Sequence, residues 1–301
     1  MMNRKILSRL AALVTTSIWG VSFIFSKLGF EHADPLTLLA YRFLLAFLAM
    51  TAIKLGTGMH FDFRGKPVRK LLILGVIQPI LYFLCENYGV MYSTATFSGI
   101  MIALMPIATL VLATIFLHER PTLLQGIFSV LSVCGVILMS VNPDAAGLAS
   151  VKGAVLMLGA VFSSAIYFML SKDISGEFTP FERTYCMFVE GGLFFVLAAL
   201  VEHRGNFAAL VEPLGHSQFI ISIVFLGIMA SIVAFLCQNY YVTYLTITEA
   251  AVFSNLVTVF SIIAGILIMH DPFSVYTIPA AFMIVGGILG VQMCGRKKAE
   301  A

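Results

Sequence analysis

The chain has 301 residues, of which 60% are hydrophobic and only 11% charged, with a mean hydropathy of +0.99. A soluble globular chain carries about 25% charged residues, so that class is excluded, and a net charge of +3 provides no basic face for a nucleic acid. Apolar runs of 18 or more residues between short polar breaks read as membrane spans, so the chain reads as an all-α polytopic membrane protein whose largest partner is the lipid bilayer.

The first run, 9–30, follows a basic start in the order of a signal peptide. It is too long for an h-region and lacks a clean small-residue cleavage site, so it is expected to be retained. Thr15, Trp19, Ser22 and Ser26 fall on one helical face of it. The second, 35–54, opens at "HADP" and carries Arg42. The third, 68–91, follows "GTGMHFDFRGKP" and places Gln78, Tyr82 and Glu86 at i, i+4 and i+8, with Asn87 beside them. The fourth, 94–117, contains Pro106, expected to bend it; the fifth, 122–141, follows "HERP". After "NPDAAG" the sixth, 151–171, repeats a polar face in Ser164, Tyr167 and Ser171. The seventh, 180–201, holds Glu190 near its middle with no basic partner in the helix core. The eighth, 217–241, offers Ser231, Phe235, Gln238 and Asn239. The ninth, 247–269, has Glu249 near its start, and the tenth, 274–294, follows "HDP".

Lysine and arginine fix an orientation. With the N-terminus inside, fourteen of them fall on the cytoplasmic side and three (Lys27, Lys152, Arg204) on the other, with Arg42 inside the membrane. That bias places both termini in the cytoplasm of a cell membrane. The five cysteines all lie in apolar runs without CxxC or Cys/His spacing, so neither disulfides nor a metal site is expected. No cofactor motif is present, and the oligomeric state is not encoded in any legible pattern.

The chain repeats itself. "FLCENYGVMYSTAT" (83–96) and "FLCQNYYVTYLTIT" (235–248) share nine of fourteen positions at an offset of 152. Trp19, Ser22, Ser26 and Lys27 align with Ser164, Tyr167, Ser171 and Lys172 at an offset of 145. Two five-helix units follow, 1–142 and 143–301. Five is odd, so the second unit enters the bilayer from the opposite side, and an inverted repeat with a site between its halves is a transporter architecture.

The segment "LMPIATLVLATIFLHERPTLLQGIFSVLSVCGVILMSV" (104–141) resembles the EamA-like branch of the drug/metabolite transporter superfamily. Pro106, Glu119, Arg120, Gln125 and Gly135 occupy the places of that family's first-half motif, and "DPLTLLAYRF" resembles its second-helix start. The likeness spans essentially the whole chain and departs at His118 and in the "HDPFS" of the second half. It implies a secondary exporter of metabolites or drugs, with a central cavity lined by helices 1, 3, 4, 6, 8 and 9.

Polar groups in hydrocarbon are costly and should face the bundle interior. The substrate-contacting candidates are therefore Trp19, Ser22, Gln78, Tyr82, Glu86, Asn87, Tyr167, Gln238 and Asn239, around a small organic solute. A single serine or threonine more often bonds helices together. Glu190, a carboxylate without a partner, is the candidate for coupling to a proton. Arg42 and Glu86 come out at similar depths and are expected to form an ion pair locking helices 2 and 3; the alternative is that Arg42 reaches headgroups and Glu86 serves a cationic substrate. The leading function is gradient-driven export of an amino-acid-like metabolite or a drug. Uptake of such a solute is the alternative within the class. An intramembrane enzyme is the alternative outside it, but no HExxH, GxSxG or paired aspartates occur in the spans.

Overall fold

The computed structural model describes residues 4–116, 122–141, 150–245, 247–270 and 277–299. His118, Glu119 and Arg120 lie outside them, as does the side chain of Glu249. The described chain is helical, without a strand: α1 (Arg4–Phe30), α2 (Pro35–Thr57), α3 (Val68–Met91), α4 (Ala95–Ile102 continued by Met105–Phe116), α5 (Leu123–Val141), α6 (Val151–Asp173), α7 (Pro180–Glu202), α8 (Ser217–Tyr244), α9 (Ile247–Ile268) and α10 (Thr277–Ala299). Seven of these, α1 to α4 and α6 to α8, are long and apolar enough to cross a membrane. The other three contain shorter apolar segments, Leu123–Gly135, Leu256–Ile268 and Ile278–Val291.

Local chemistry starts these helices where the polar breaks end. At α2 the Asp34 carboxylate accepts from the Thr37 N–H at 2.9 Å, and Pro35 sits at the first helical position. At α7, Thr179 and Glu182 form a reciprocal capping box, again with proline first. Both devices satisfy amide donors that a helix N-terminus leaves unpaired. They stand 145 residues apart, so the repeat extends to the caps.

Three helices are irregular. A π-helical stretch runs over Val76–Tyr82 in α3 and another over Phe225–Val233 in α8. Shifted by 152, the first falls on residues 228–234, so the two stretches overlap in the repeat. Pro79 accounts for the first, because it has no N–H to donate to the preceding turn. In α4 the break falls at Ala103–Leu104; Pro106, two residues on, has no N–H for the Ile102 carbonyl.

The helices of one half pack mainly on those of the other. α1 lies against α8 and α9, and α6 against α3 and α4, while α2 meets α7, α4 meets α9 and α5 meets α10. Close approaches are made by small residues. A Cβ on Gly20 would strike the Phe260 side chain, and one on Gly99 the Ser261 side chain. The backbone carbonyls at these glycines accept from Ser261 Oγ (2.9 Å) and Thr258 Oγ1 (2.8 Å) respectively. Phe43 and its counterpart Phe188, 145 residues on, touch with ring centres 5.9 Å apart in the centre of an aromatic core.

The polar ends sort into two groups. At one end Lys66 pairs with Glu182 at 3.3 Å, Lys70 with Asp173 at 2.6 Å, and the Lys172 ammonium donates to the Val242, Thr243 and Leu245 carbonyls at the end of α8. At the other, His203 Nε2 lies 3.0 Å from Asp34, and His32 stacks on His216 at 4.1 Å.

Candidate substrate cavity

The helices enclose a cavity of about 590 Å³ of unfilled space, mouth included, walled by α1, α2, α3, α4, α6, α8 and α9. Of the residues expected from sequence, Trp19, Ser22, Gln78, Tyr82 and Glu86 line it. The wall contains three repeat-related pairs: Trp19 with Ser164, Phe23 with Phe168, and Phe83 with Phe235. The last pair meet with ring centres 6.1 Å apart. The cavity thus lies where equivalent positions of the two halves converge.

The π stretches help to build this wall. Trp19 Nε1 donates to the Ala230 carbonyl at 3.0 Å, and Thr15 Oγ1 to the Ala234 carbonyl at 3.2 Å. A π turn displaces backbone groups from the regular ladder, and α1 supplies side-chain donors to these two carbonyls. The Trp19 ring, so oriented, packs edge-on against Phe235 at 5.2 Å.

The expected Arg42–Glu86 ion pair is not made as a direct contact. Both side chains are buried and both line the cavity, but among the described residues no Arg42–Glu86 separation falls within 4.0 Å. Arg42 Nε donates instead to Ser231 Oγ at 2.9 Å, and its guanidinium carbon sits 4.3 Å from the centre of the Phe83 ring. That cation–π contact seats the guanidinium on Phe83, while Glu86 Oε2 accepts a short hydrogen bond from Asn87 Nδ2. The two charges still act on each other through space. The sequence put Ser231 on a polar face of the eighth helix, but not as the partner that Arg42 takes.

Four candidates stand behind the wall. Asn87 is fully buried, its amide shared between Glu86 and the Phe83 carbonyl. Gln238 is buried with Oε1 lacking a hydrogen-bond partner among the described residues, and it interacts with Tyr241, which does line the cavity. Tyr167 and Asn239 belong to a separate network. Asn239 Oδ1 accepts from the Tyr167 hydroxyl (2.8 Å) and Ser171 (2.9 Å), and its Nδ2 donates to Thr184 (2.9 Å). Around it the buried Arg183 donates to Ser171 and to the Asn239 carbonyl at 2.8 Å. Glu190 also lies off the cavity wall: it is half-buried, its carboxylate presses on Gly75 just before the α3 π stretch, and Oε1 has no hydrogen-bond partner among the described residues. Sequence reasoning passed over Phe23, Phe83 and Phe168 as wall residues. Their repetition at the two offsets was the available signal.

The model of the EamA-like transporter family matches the chain twice, over residues 7–141 and 151–293. The chain belongs to this family. It is 33% identical to the uncharacterized transporter YcxC of Bacillus subtilis, over 97% of this chain and 94% of that one. A probable terminal-alkyne amino-acid exporter of Streptantibioticus cattleyicolor is 24% identical over 93% of this chain and 90% of its own. A solved crystal structure shares the fold at a TM-score of 0.66 and 17% identity, covering 96% of this chain and 98% of that one. This EamA-like protein is therefore a multi-pass membrane transporter, and its relatives are named transporters rather than enzymes.

Proposed function

We propose that this EamA-like protein is a secondary active exporter of a small, amino-acid-like metabolite, working by alternating access at the cavity between two inverted five-helix units, 1–142 and 143–301. The observation that carries the reading is the cavity wall itself, in which repeat-related pairs from the two halves face one shared space. Rocking one half on the other exposes such a site to each side in turn. The overlapping π stretches in α3 and α8 support this, since such turns occur in helices where function requires local irregularity. The similarity to an amino-acid exporter supports the direction and size of the solute. The lysine and arginine distribution supports an orientation with both termini in the cytoplasm, in the cell membrane.

Glu190 remains the candidate for proton coupling, acting at the α7–α3 contact rather than in the cavity. The test is flux in proteoliposomes loaded with candidate metabolites under an imposed pH gradient. Protein-dependent, saturable flux lost in Tyr82→Ala is expected. Glu190→Gln should abolish gradient-driven accumulation while sparing solute exchange; an unchanged dependence on the gradient would remove Glu190 from the mechanism.

A further inference from the structure

The cavity holds two buried charges of opposite sign that are not in contact. Arg42 is 2% exposed and Glu86 3%. Arg42 commits only its Nε to a hydrogen bond within the described protein, leaving the two terminal nitrogens of the guanidinium undirected. Glu86 commits one oxygen, to Asn87. Gln78, on the same α3 face and 2% exposed, keeps an Oε1 that has no hydrogen-bond partner among the described residues. Buried charges and acceptors left in this state are expensive. Here they share one wall with aromatic rings.

We propose that the cavity is a zwitterion site, in which Arg42 takes the carboxylate of the substrate while Glu86 and Gln78 take its ammonium group. This rests on the transport reading above and names the substrate class for it. A carboxylate matches the planar fork of a guanidinium. An ammonium group has three donors, enough for the Glu86 carboxylate and the orphan Gln78 oxygen together. Both cavity charges are then satisfied by a solute of zero net charge. A monocation would neutralise Glu86 and leave Arg42 unanswered, and a monoanion would do the reverse, so each single-charge analogue forfeits one charged hydrogen-bonded pair. The remainder of the substrate rests among Trp19, Phe83 and Phe235, which suits an apolar side chain.

The chain contains a single tryptophan, and it is Trp19 in the cavity wall, so its fluorescence reports occupancy directly. The purified full-length protein in nanodiscs is titrated with L-norleucine and L-phenylalanine. Their relatives L-norleucinamide, without the carboxylate, and hexanoate, without the amine, follow. The zwitterions should give a saturable change, and each analogue should bind at least about tenfold more weakly, the scale of one lost charged hydrogen bond. Arg42→Gln should erase the preference for norleucine over norleucinamide, and Glu86→Gln the preference over hexanoate. A flat response to both zwitterions overturns the assignment, as does equal binding of either analogue to the native protein. So does unchanged discrimination in the two variants. Where a variant does not fold, the analogue series on the native protein decides alone. A solute that crosses proteoliposomes and depends on Phe83 and Phe235 but not on Arg42 would sink the zwitterion site and leave the transport reading standing. Norleucine binding without flux of any solute would do the opposite.

Discussion

Asn239 and Tyr82 are both polar, both buried in part or whole, and both were candidates for touching substrate, yet the structure gives them different work. Asn239 satisfies Tyr167, Ser171 and Thr184 at once. Asn239→Ala would take the acceptor from two hydroxyls, Tyr167 and Ser171, beside a buried arginine, while Thr184 keeps the Pro180 carbonyl. Each such group costs about 1–3 kcal/mol, so a loss of about 2–4 kcal/mol is expected by thermal or denaturant unfolding in detergent, with transport per folded molecule close to native. Tyr82 faces the cavity, and Tyr82→Ala should lower transport about tenfold or more while unfolding shifts little. If the two variants exchange these phenotypes, the division between wall and network is wrong. The helical spacing of Gln78, Tyr82 and Glu86 was enough to put all three on one face. It could not separate Tyr167 from Ser22, aligned in the repeat, because wall and network positions have the same polarity and the same period. What divides them is Arg183, which recruits the polar groups around it, and no spacing announces that.

At the scale of the helix, the breaks were the legible part. The breaks before 35 and 180 were read from "HADP" and the start of the seventh run, and the structure adds an Asp34 cap and a Thr179 box at those places. The π stretches were not legible, since an apolar run keeps its composition whichever carbonyl its amides choose; only Pro79 in α3 hinted at one, and α8 has no proline there. The Asp34 cap carries a pH signature. Burial raises this carboxyl, but hydrogen bonds from the Thr37 side chain and backbone, together with His203, outweigh it and hold it below its ordinary 3.8. A carboxyl depressed in the folded state contributes its full stability above the ordinary value and loses it as pH falls through the lower, folded one. The native unfolding temperature should therefore drop more steeply below about pH 4 than that of Asp34→Asn, which keeps a capping oxygen but cannot titrate. Parallel pH profiles would show that the cap is not the group responsible. Packing offers a second test at this scale. A side chain at Gly20 meets Phe260 and the Val257 carbonyl, so Gly20→Ala must push α1 from α9. A cost of about 1–3 kcal/mol is expected from such overpacking, and an unfolding midpoint unchanged from the native protein would mean that the contact is loose.

For the molecule as a whole, the open question is whether the two halves enter the membrane from opposite sides, and the polar ends supply the argument. The loop from α2 to α3 brings Lys66 to Glu182, next to the start of α7. Its counterpart in the second half, the loop from α7 to α8, brings His203 to Asp34, at the start of α2. Each loop therefore meets the other half's preceding loop, an exchange of roles that a two-fold axis in the membrane plane produces and a parallel repeat does not. The cationic residues agree: the first loop carries Arg64 and Lys66, the second only Arg204, the asymmetry that retains basic loops in the cytoplasm. Single cysteines at the exposed His60 and Asn206, in a protein whose five native cysteines are replaced, make this measurable. In whole cells a membrane-impermeant maleimide should label the Asn206→Cys protein, and the His60→Cys protein should react only after the membrane is opened. Labelling of both from outside, or of neither, would place the two loops on one side. The halves would then be parallel, and the cavity between them could not be exposed by rocking about a shared in-plane axis. Opposite labelling, combined with a wall built from Phe83 and Phe235 in equivalent helices, leaves the cavity on that axis, where a small relative rotation of the halves opens one side as it closes the other.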